Sequence, residues 1–323
     1  MELGIDLQYL LFLQNLRLAT GGIFDELFNG ISKVAVDVLP FLPFLIFLCV
    51  NKKWGYRFLT SYVGADLLNG VVKLTVCAYR PWIRSDLIEP AGDSKVAATG
   101  YSFPSGHTVS ASSLYGSVVE NQWNKRRWLA GICIVCILLT GFSRNFLGVH
   151  TPQDVLVGLT EGIVMILIVR KVSRVIGDNG KTYDILTVAG IFAVVAVLIY
   201  IQVKPYPMDY VDGQLLVDPQ KMMNDCFKAC GAFLGLLLGS YVERHYIHYE
   251  IPVGYKNLPV QAGVSVALLF IWKAYFEKAT IIPALGGHWG NLISRFCMVF
   301  IGLTLIPMLI MKSARDYEKQ AVD

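Results

Sequence analysis

The chain has 323 residues, 54% of them hydrophobic and 16% charged, with a formal net charge of +4. A soluble domain carries about 25% charged residues, so an ordinary water-soluble fold is excluded, and so small a net charge gives no ground for a nucleic-acid partner. The excess apolar content falls in stretches of roughly 15–23 residues, the length that crosses a bilayer.

Residues 1–31 include LQYLLFLQNLR, with Leu at helical spacing, but Arg17, Asp25 and Glu26 interrupt any span. This segment reads as an amphipathic helix lying on the membrane surface. No small-residue cleavage site follows a clean apolar run, so no cleavable leader is expected. About nine spans follow, near 32–50, 57–77, 103–120, 128–143, 152–170, 184–203, 226–243, 258–276 and 291–311. The expected fold is therefore all-α, a polytopic membrane helical bundle of about nine transmembrane helices. It divides into the interfacial segment at 1–31, a six-helix core at 32–203 and a further three-helix membrane segment at 204–323.

The connecting segments alternate in charge. NKKWGYR (51–57), NKRR (124–127), RKVSR (170–174) and KSARDYEK (312–319) are basic. The segment 204–225 sets Asp209, Asp212, Asp218 and Asp225 against Lys204 and Lys221. The positive-inside rule puts the basic segments in the cytoplasm. The segments near 78–102, 144–151, 204–225 and 277–290 then lie outside, with the N-terminus out and the C-terminus in. Cys133 and Cys136 have CxxC spacing, but they lie in GICIVCILLT with no second pair and no nearby His, so they read as packing residues. Gly231, Gly235 and Gly239 stand four apart, a face for close helix packing.

Three polar stretches break the apolar pattern, and the topology brings all three to the outer face. The first, NGVVKLTVCAYRPW (69–82), holds Asn69 and Lys73 on one helical face and then Arg80, where Pro81 ends or bends the helix. The second, GYSFPSGHTVS (100–110), places Ser105, Gly106 and His107 where a helix begins. Unpaired N–H groups there favour an anion, and Gly106 lets it approach the backbone. The third, SRNFLGVHTPQD (143–154), holds Arg144, His150 and Asp154, the last two one helical turn apart. Three cations, helix-start N–H groups, two histidines and a carboxylate suit a phosphoryl group. One histidine can attack phosphorus while Asp holds its other nitrogen, and the other can protonate the leaving oxygen. No Asp/Glu/His cluster points to a metal, and no cofactor is called for.

KLTVCAYRP, PSGH and SRNFLGVHTPQD resemble, in spacing and order, the K-x6-R-P, P-S-G-H and S-R-x5-H-x3-D motifs of the type 2 phosphatidic acid phosphatase superfamily. They cover residues 73–154, about a quarter of the chain. The resemblance implies His150 as nucleophile, Asp154 as its orienting partner, and His107 as general acid and later base. Lys73, Arg80, Ser105, Gly106 and Arg144 would bind the phosphoryl group. Asn69, Asp66 and Glu161 share helix faces with these residues and are candidates for support from behind. The nine-span layout also resembles the glucose-6-phosphatase and sphingosine-phosphate phosphatase branches.

These readings lead to a metal-independent membrane phosphatase acting on a phosphate ester or diphosphate, first of all of a lipid, at the extracytoplasmic face. Membrane lipids are its surroundings, a phosphorylated lipid its substrate, and oligomeric state stays open. A bacterial plasma membrane is favoured over a eukaryotic internal one. A sugar-phosphate phosphatase and a phosphotransferase with the same phosphohistidine are the alternatives among enzymes. A transporter or channel would need polar groups spread over both faces, whereas here they gather at one.

Overall fold

In the computed structural model, residues 3–320 are described except 93, 99, 178 and 212. Asp212 of the acidic segment thus lies outside the described residues. Fifteen α-helices appear among the described residues: α1 Ile5–Ala19, α2 Asp25–Asp37, α3 Leu42–Cys49, α4 Lys52–Val76, α5 Pro81–Arg84, α6 Ser94–Ala97, α7 Gly106–Gln122, α8 Arg127–Phe146, α9 Pro152–Ile176, α10 Gly180–Val203, α11 Pro219–Val242, α12 Leu258–Ile271, α13 Ile282–Leu285, α14 Gly287–Leu303 and α15 Leu305–Gln320. π-Helical turns at Glu243–Ile247 and Trp272–Ile281 join the later helices. The only strands among the described residues are a two-residue antiparallel pair, Tyr210–Val211 with Gln214–Leu215. The all-α expectation holds.

Among the described residues, six helical stretches are long and apolar enough to cross a membrane: 25–49, 127–146, 180–203, 219–247, 258–285 and 287–319. Three helices that carry motif residues, α4, α7 and α9, are not among them, whereas α8, which carries Arg144, is. Each of the three holds polar side chains where a plain span would be apolar, such as Asn69 and Lys73, Ser112 and Ser113, or Asp154 and Glu161. The first apolar stretch begins at Asp25, earlier than hydropathy placed it, because α2 runs on toward α3 with only a short 3-10 turn between them.

The chain forms two compact units. The first takes residues 1–40, 64–167 and 203–223. Its first helix, α1, ends at Gly21 and Gly22, both at positive φ (64° and 72°), a conformation glycine adopts without penalty. α1 buries Leu7, Leu10, Leu13, Gln14 and Arg17 on one side. Gln14 Nε2 donates to Leu87 O at 3.0 Å, Glu89 N–H donates back to Gln14 Oε1 at 2.7 Å, and Arg17 Nη2 donates to Glu89 O at 2.7 Å. Those bonds tie α1 to the segment that follows α5. Glycines bring α9 against α7. A Cβ on Gly158 would stand 2.7 Å from Ser105 O, and one on Gly162 would stand 2.8 Å from Ser113 N.

The second unit takes residues 41–63, 168–202 and 224–323. Its core gathers Phe44, Phe47, Leu59, Tyr249, Val299 and Leu303. The glycine stripe meets α14 inside this unit. A Cβ on Gly235 would stand 2.5 Å from Phe296 O, and one on Gly239 would stand 3.2 Å from Leu303 Cβ. Two buried carboxylates are paired, as burial requires. Glu243 accepts from Lys52 Nζ at 2.6 Å and Tyr56 Oη at 2.9 Å. Glu277 meets Arg295 Nε at 3.2 Å and Ser294 Oγ at 3.0 Å. His288 stacks on Phe227 with centroids 4.8 Å apart.

Candidate active site

All three motifs lie in the first unit. α4 brings Asn69 and Lys73. Lys73 Nζ donates to Pro104 O at 2.6 Å and lies 3.4 Å from both Tyr101 O and Ser102 O. The lysine of the first motif is thereby bound to the backbone that leads into the second. Arg80 is extended at the N-cap position of α5, and Pro81 takes the first helical position. Arg80 is buried, with Nε donating to Gly100 O at 3.1 Å and Nη1 to Val149 O at 2.8 Å. Its guanidinium also lies 5.8 Å over the Trp82 ring.

Ser105 caps α7, its hydroxyl accepting from Thr108 N at 3.5 Å and Thr108 Oγ1 at 3.0 Å. Its own N–H donates to Asp154 O at 3.0 Å, which joins the second motif to the third. Gly106 is the first residue of α7 and His107 the second. His107 is half-buried, and its ring makes no hydrogen bond among the described residues.

The third motif straddles the junction of α8 and α9. Thr151 and Asp154 cap each other. Thr151 N–H donates to Asp154 Oδ2 at 2.8 Å, and Asp154 N–H donates to Thr151 Oγ1 at 3.4 Å. Pro152 takes the first helical position, where its missing N–H costs nothing. The same Oδ2 accepts from Ser102 Oγ and stands 3.3 Å from His150 Nδ1. Arg80 Nη1 stands 2.9 Å from His150 Nε2. A guanidinium only donates and a carboxylate only accepts, so this arrangement fits a ring with its proton on Nδ1 and an unprotonated Nε2 that accepts from Arg80. Asn145 Nδ2 holds His150 O at 2.9 Å.

His150 is 2% exposed and Arg144 is 3% exposed, too little for bulk water to screen the charges around them. Burial first, then the positive charges of Arg80, Lys73 and Arg144, holds the His150 ring well below its ordinary value. Burial draws Arg80 down to about 10, which leaves it charged at neutral pH. Arg144 Nη1 donates to Ser32 Oγ at 2.9 Å.

Of the supporting candidates, Asn69 and Glu161 meet each other. Asn69 Nδ2 donates to Glu161 Oε2 at 3.0 Å, and both residues are buried. Asp66 is half-buried on α4.

Residues 54–177 match the model of the PAP2 superfamily. That segment is a PAP2 domain. It contains every motif residue, and the resemblance to type 2 phosphatidic acid phosphatases holds. The chain is 28% identical to the undecaprenyl-diphosphatase of Sulfolobus acidocaldarius over 120 residues, 37% of this chain and 55% of that protein. It is 27% identical to phosphatidylglycerophosphatase B of Bacillus subtilis over 159 residues, 45% of this chain and 73% of that protein. It is 28% identical to lipid phosphate phosphatase delta of Arabidopsis thaliana over 159 residues, 45% of this chain and 37% of that protein. No solved structure matches the chain at the same significance.

Several residues around the PAP2 motifs escaped the sequence reading as site members. Thr151 had a signal, the T-x-x-D capping pattern before an apolar run. Ser102 had only its place two residues before Pro104. Asn145 and Ser32 had none, since nothing in a local pattern says that a side chain will meet a backbone carbonyl or a guanidinium from another element.

Proposed function

We propose that this protein is an integral membrane phosphatase that removes a terminal phosphate from a lipid phosphate or diphosphate through a phosphohistidine on His150. The observation that carries this reading is the arrangement of the His150 ring, with Nδ1 facing Asp154 and an unprotonated Nε2 that accepts from Arg80 Nη1. The relatives are named as phosphatases of lipids or diphosphatases, which favours a lipid over a sugar phosphate.

In the reaction, the substrate's phosphoryl oxygens take over the Arg80 N–H that meets Nε2. His150 Nε2 attacks phosphorus, the P–O bond to the leaving alcohol or phosphate breaks, and His107 donates a proton to that oxygen. Lys73, Arg80, Arg144, the Ser105 hydroxyl and the Gly106 N–H at the start of α7 stabilise the equatorial oxygens. His107 then takes a proton from water as that water attacks the phosphohistidine, and inorganic phosphate leaves. Asp154 holds the ring in one tautomer throughout. The cations do the work a metal ion does elsewhere, so the chemistry needs none.

The proposed location of the site is the extracytoplasmic face of a bacterial plasma membrane, a reading supported by the alternation of basic and acidic connecting segments. A lipid headgroup reaches that level while its tails stay in hydrocarbon. The test is phosphate release by purified protein in detergent with EDTA, on phosphatidate, an isoprenyl diphosphate, sphingosine phosphate and glucose 6-phosphate. Release from a lipid that His150→Ala abolishes is the expected result. Release that EDTA stops, or that persists in His150→Ala, would overturn the mechanism, and preference for glucose 6-phosphate would overturn the substrate class.

A further inference from the structure

Arg144 is the buried arginine of the third motif, and its hydrogen-bond partner comes from outside the matched segment 54–177. Ser32 lies on α2, 112 positions ahead of Arg144, and is fully buried. Its hydroxyl donates to Asn29 O at 3.0 Å, one turn back on its own helix. With that proton committed, the oxygen turns its lone pairs to Arg144 Nη1 at 2.9 Å. Phe28, four residues earlier on the same face of α2, packs its ring against Phe146 at 4.7 Å and Phe142 at 5.5 Å between centroids. Those two phenylalanines bracket Arg144 on α8. One face of α2 therefore meets α8 through the Phe28 ring and accepts from the Arg144 guanidinium through Ser32.

The guanidinium has five N–H donors. Arg144 Nε is buried and meets no partner among the described residues. A buried charged donor left without an acceptor is costly unless a ligand completes it.

We propose that Ser32 is a positioning residue for the phosphoryl-binding site: it fixes one arm of the Arg144 guanidinium so that the Nε edge is presented to a phosphoryl oxygen. The inference rests on the reading of Arg144 as a phosphoryl-binding residue. An arginine side chain has several rotatable bonds, and an anchor on one nitrogen removes that freedom before substrate arrives. The catalytic apparatus then extends beyond the matched segment 54–177 to α2.

The probe is orthovanadate, which imitates the transferring phosphoryl group, with phosphatidate as the assay substrate and thermal melting in detergent as the fold control. Ser32→Ala should weaken vanadate inhibition and lower kcat/KM, each by roughly tenfold or more, the scale of a lost hydrogen bond to a charged group. Ser32→Cys keeps the volume and replaces the oxygen with a weak acceptor, so it should show the same loss even if the alanine variant melts early. Ser32→Thr, which keeps the hydroxyl, should recover most of the activity. In an Arg144→Ala background Ser32→Ala should cost nothing further. Wild-type vanadate inhibition in the Ala and Cys variants, or a full additional loss in the Arg144→Ala background, would overturn the proposal. An Arg144→Ala protein as active as wild type would instead overturn the role of Arg144 on which it rests.

Discussion

Asp154 Oδ2 is shared between two tasks: it accepts the Thr151 N–H at 2.8 Å as the cap of α9, and it faces His150 Nδ1 at 3.3 Å. One oxygen thus starts the helix and orients the ring. Asp154→Asn can keep a carbonyl oxygen for the cap, but it removes the charge that holds the proton on Nδ1. The expected outcome is a kcat lower by about three orders of magnitude or more, with a melting temperature in detergent close to wild type. A fall of less than tenfold would show that the tautomer is held by other means.

The depressed His150 titration has a direct kinetic sign. In the proposed mechanism His150 must be neutral to attack, and a lowered pKa keeps it neutral to lower pH. The acidic limb of kcat/KM, which reports the free enzyme, is therefore expected below the ordinary histidine value of about 6.5. A limb at or above that value assigned to His150 would contradict the burial and charge around it. Arg80→Met removes one of the neighbouring positive charges, so in that variant the His150 limb should move up in pH.

Ser102 tests how much the third donor to Asp154 contributes. Its hydroxyl donates to Oδ2 from a position 52 residues away in sequence, and its N–H anchors to Ala78 O at 2.7 Å. Ser102→Ala keeps the backbone bond and deletes only the hydroxyl. The expected effect is a fall in kcat of roughly tenfold, about the scale of a hydrogen bond to a charged acceptor, with KM little changed. A rise in KM with kcat intact would place Ser102 on the substrate instead.

Gly158 tests the fit between α9 and the turn before α7. A Cβ there would stand 2.7 Å from Ser105 O, a backbone atom that has no side chain to swing aside. Gly158→Ala should push the α7 N-terminus away from Asp154, lowering activity by tenfold or more and destabilising the protein by about 1–3 kcal/mol. Gly131, whose Cβ would meet nothing within 4 Å, is the control, and its alanine variant should behave as wild type.

The sequence by itself determined the candidate site residues and their local scaffolding. Periodic apolar stretches dictate helices, Pro152 and the Thr151–Asp154 pair dictate where α9 begins, and Ser105 dictates where α7 begins, because capping acts over three or four residues. The spacing His150 to Asp154 already implied that ring and carboxylate would meet. The length and hydropathy of the motif helices were less legible, since the polar side chains that make a site also erase the apolar signal of a span. Only the tertiary structure decided which groups from separate elements complete each motif residue. Arg80 on His150 spans 70 residues, Asn69 on Glu161 spans 92, and Ser32 on Arg144 spans 112. Contacts at such separations follow from how helices pack, through positions such as Gly158 and Phe28, and packing depends on the whole set of neighbouring surfaces at once.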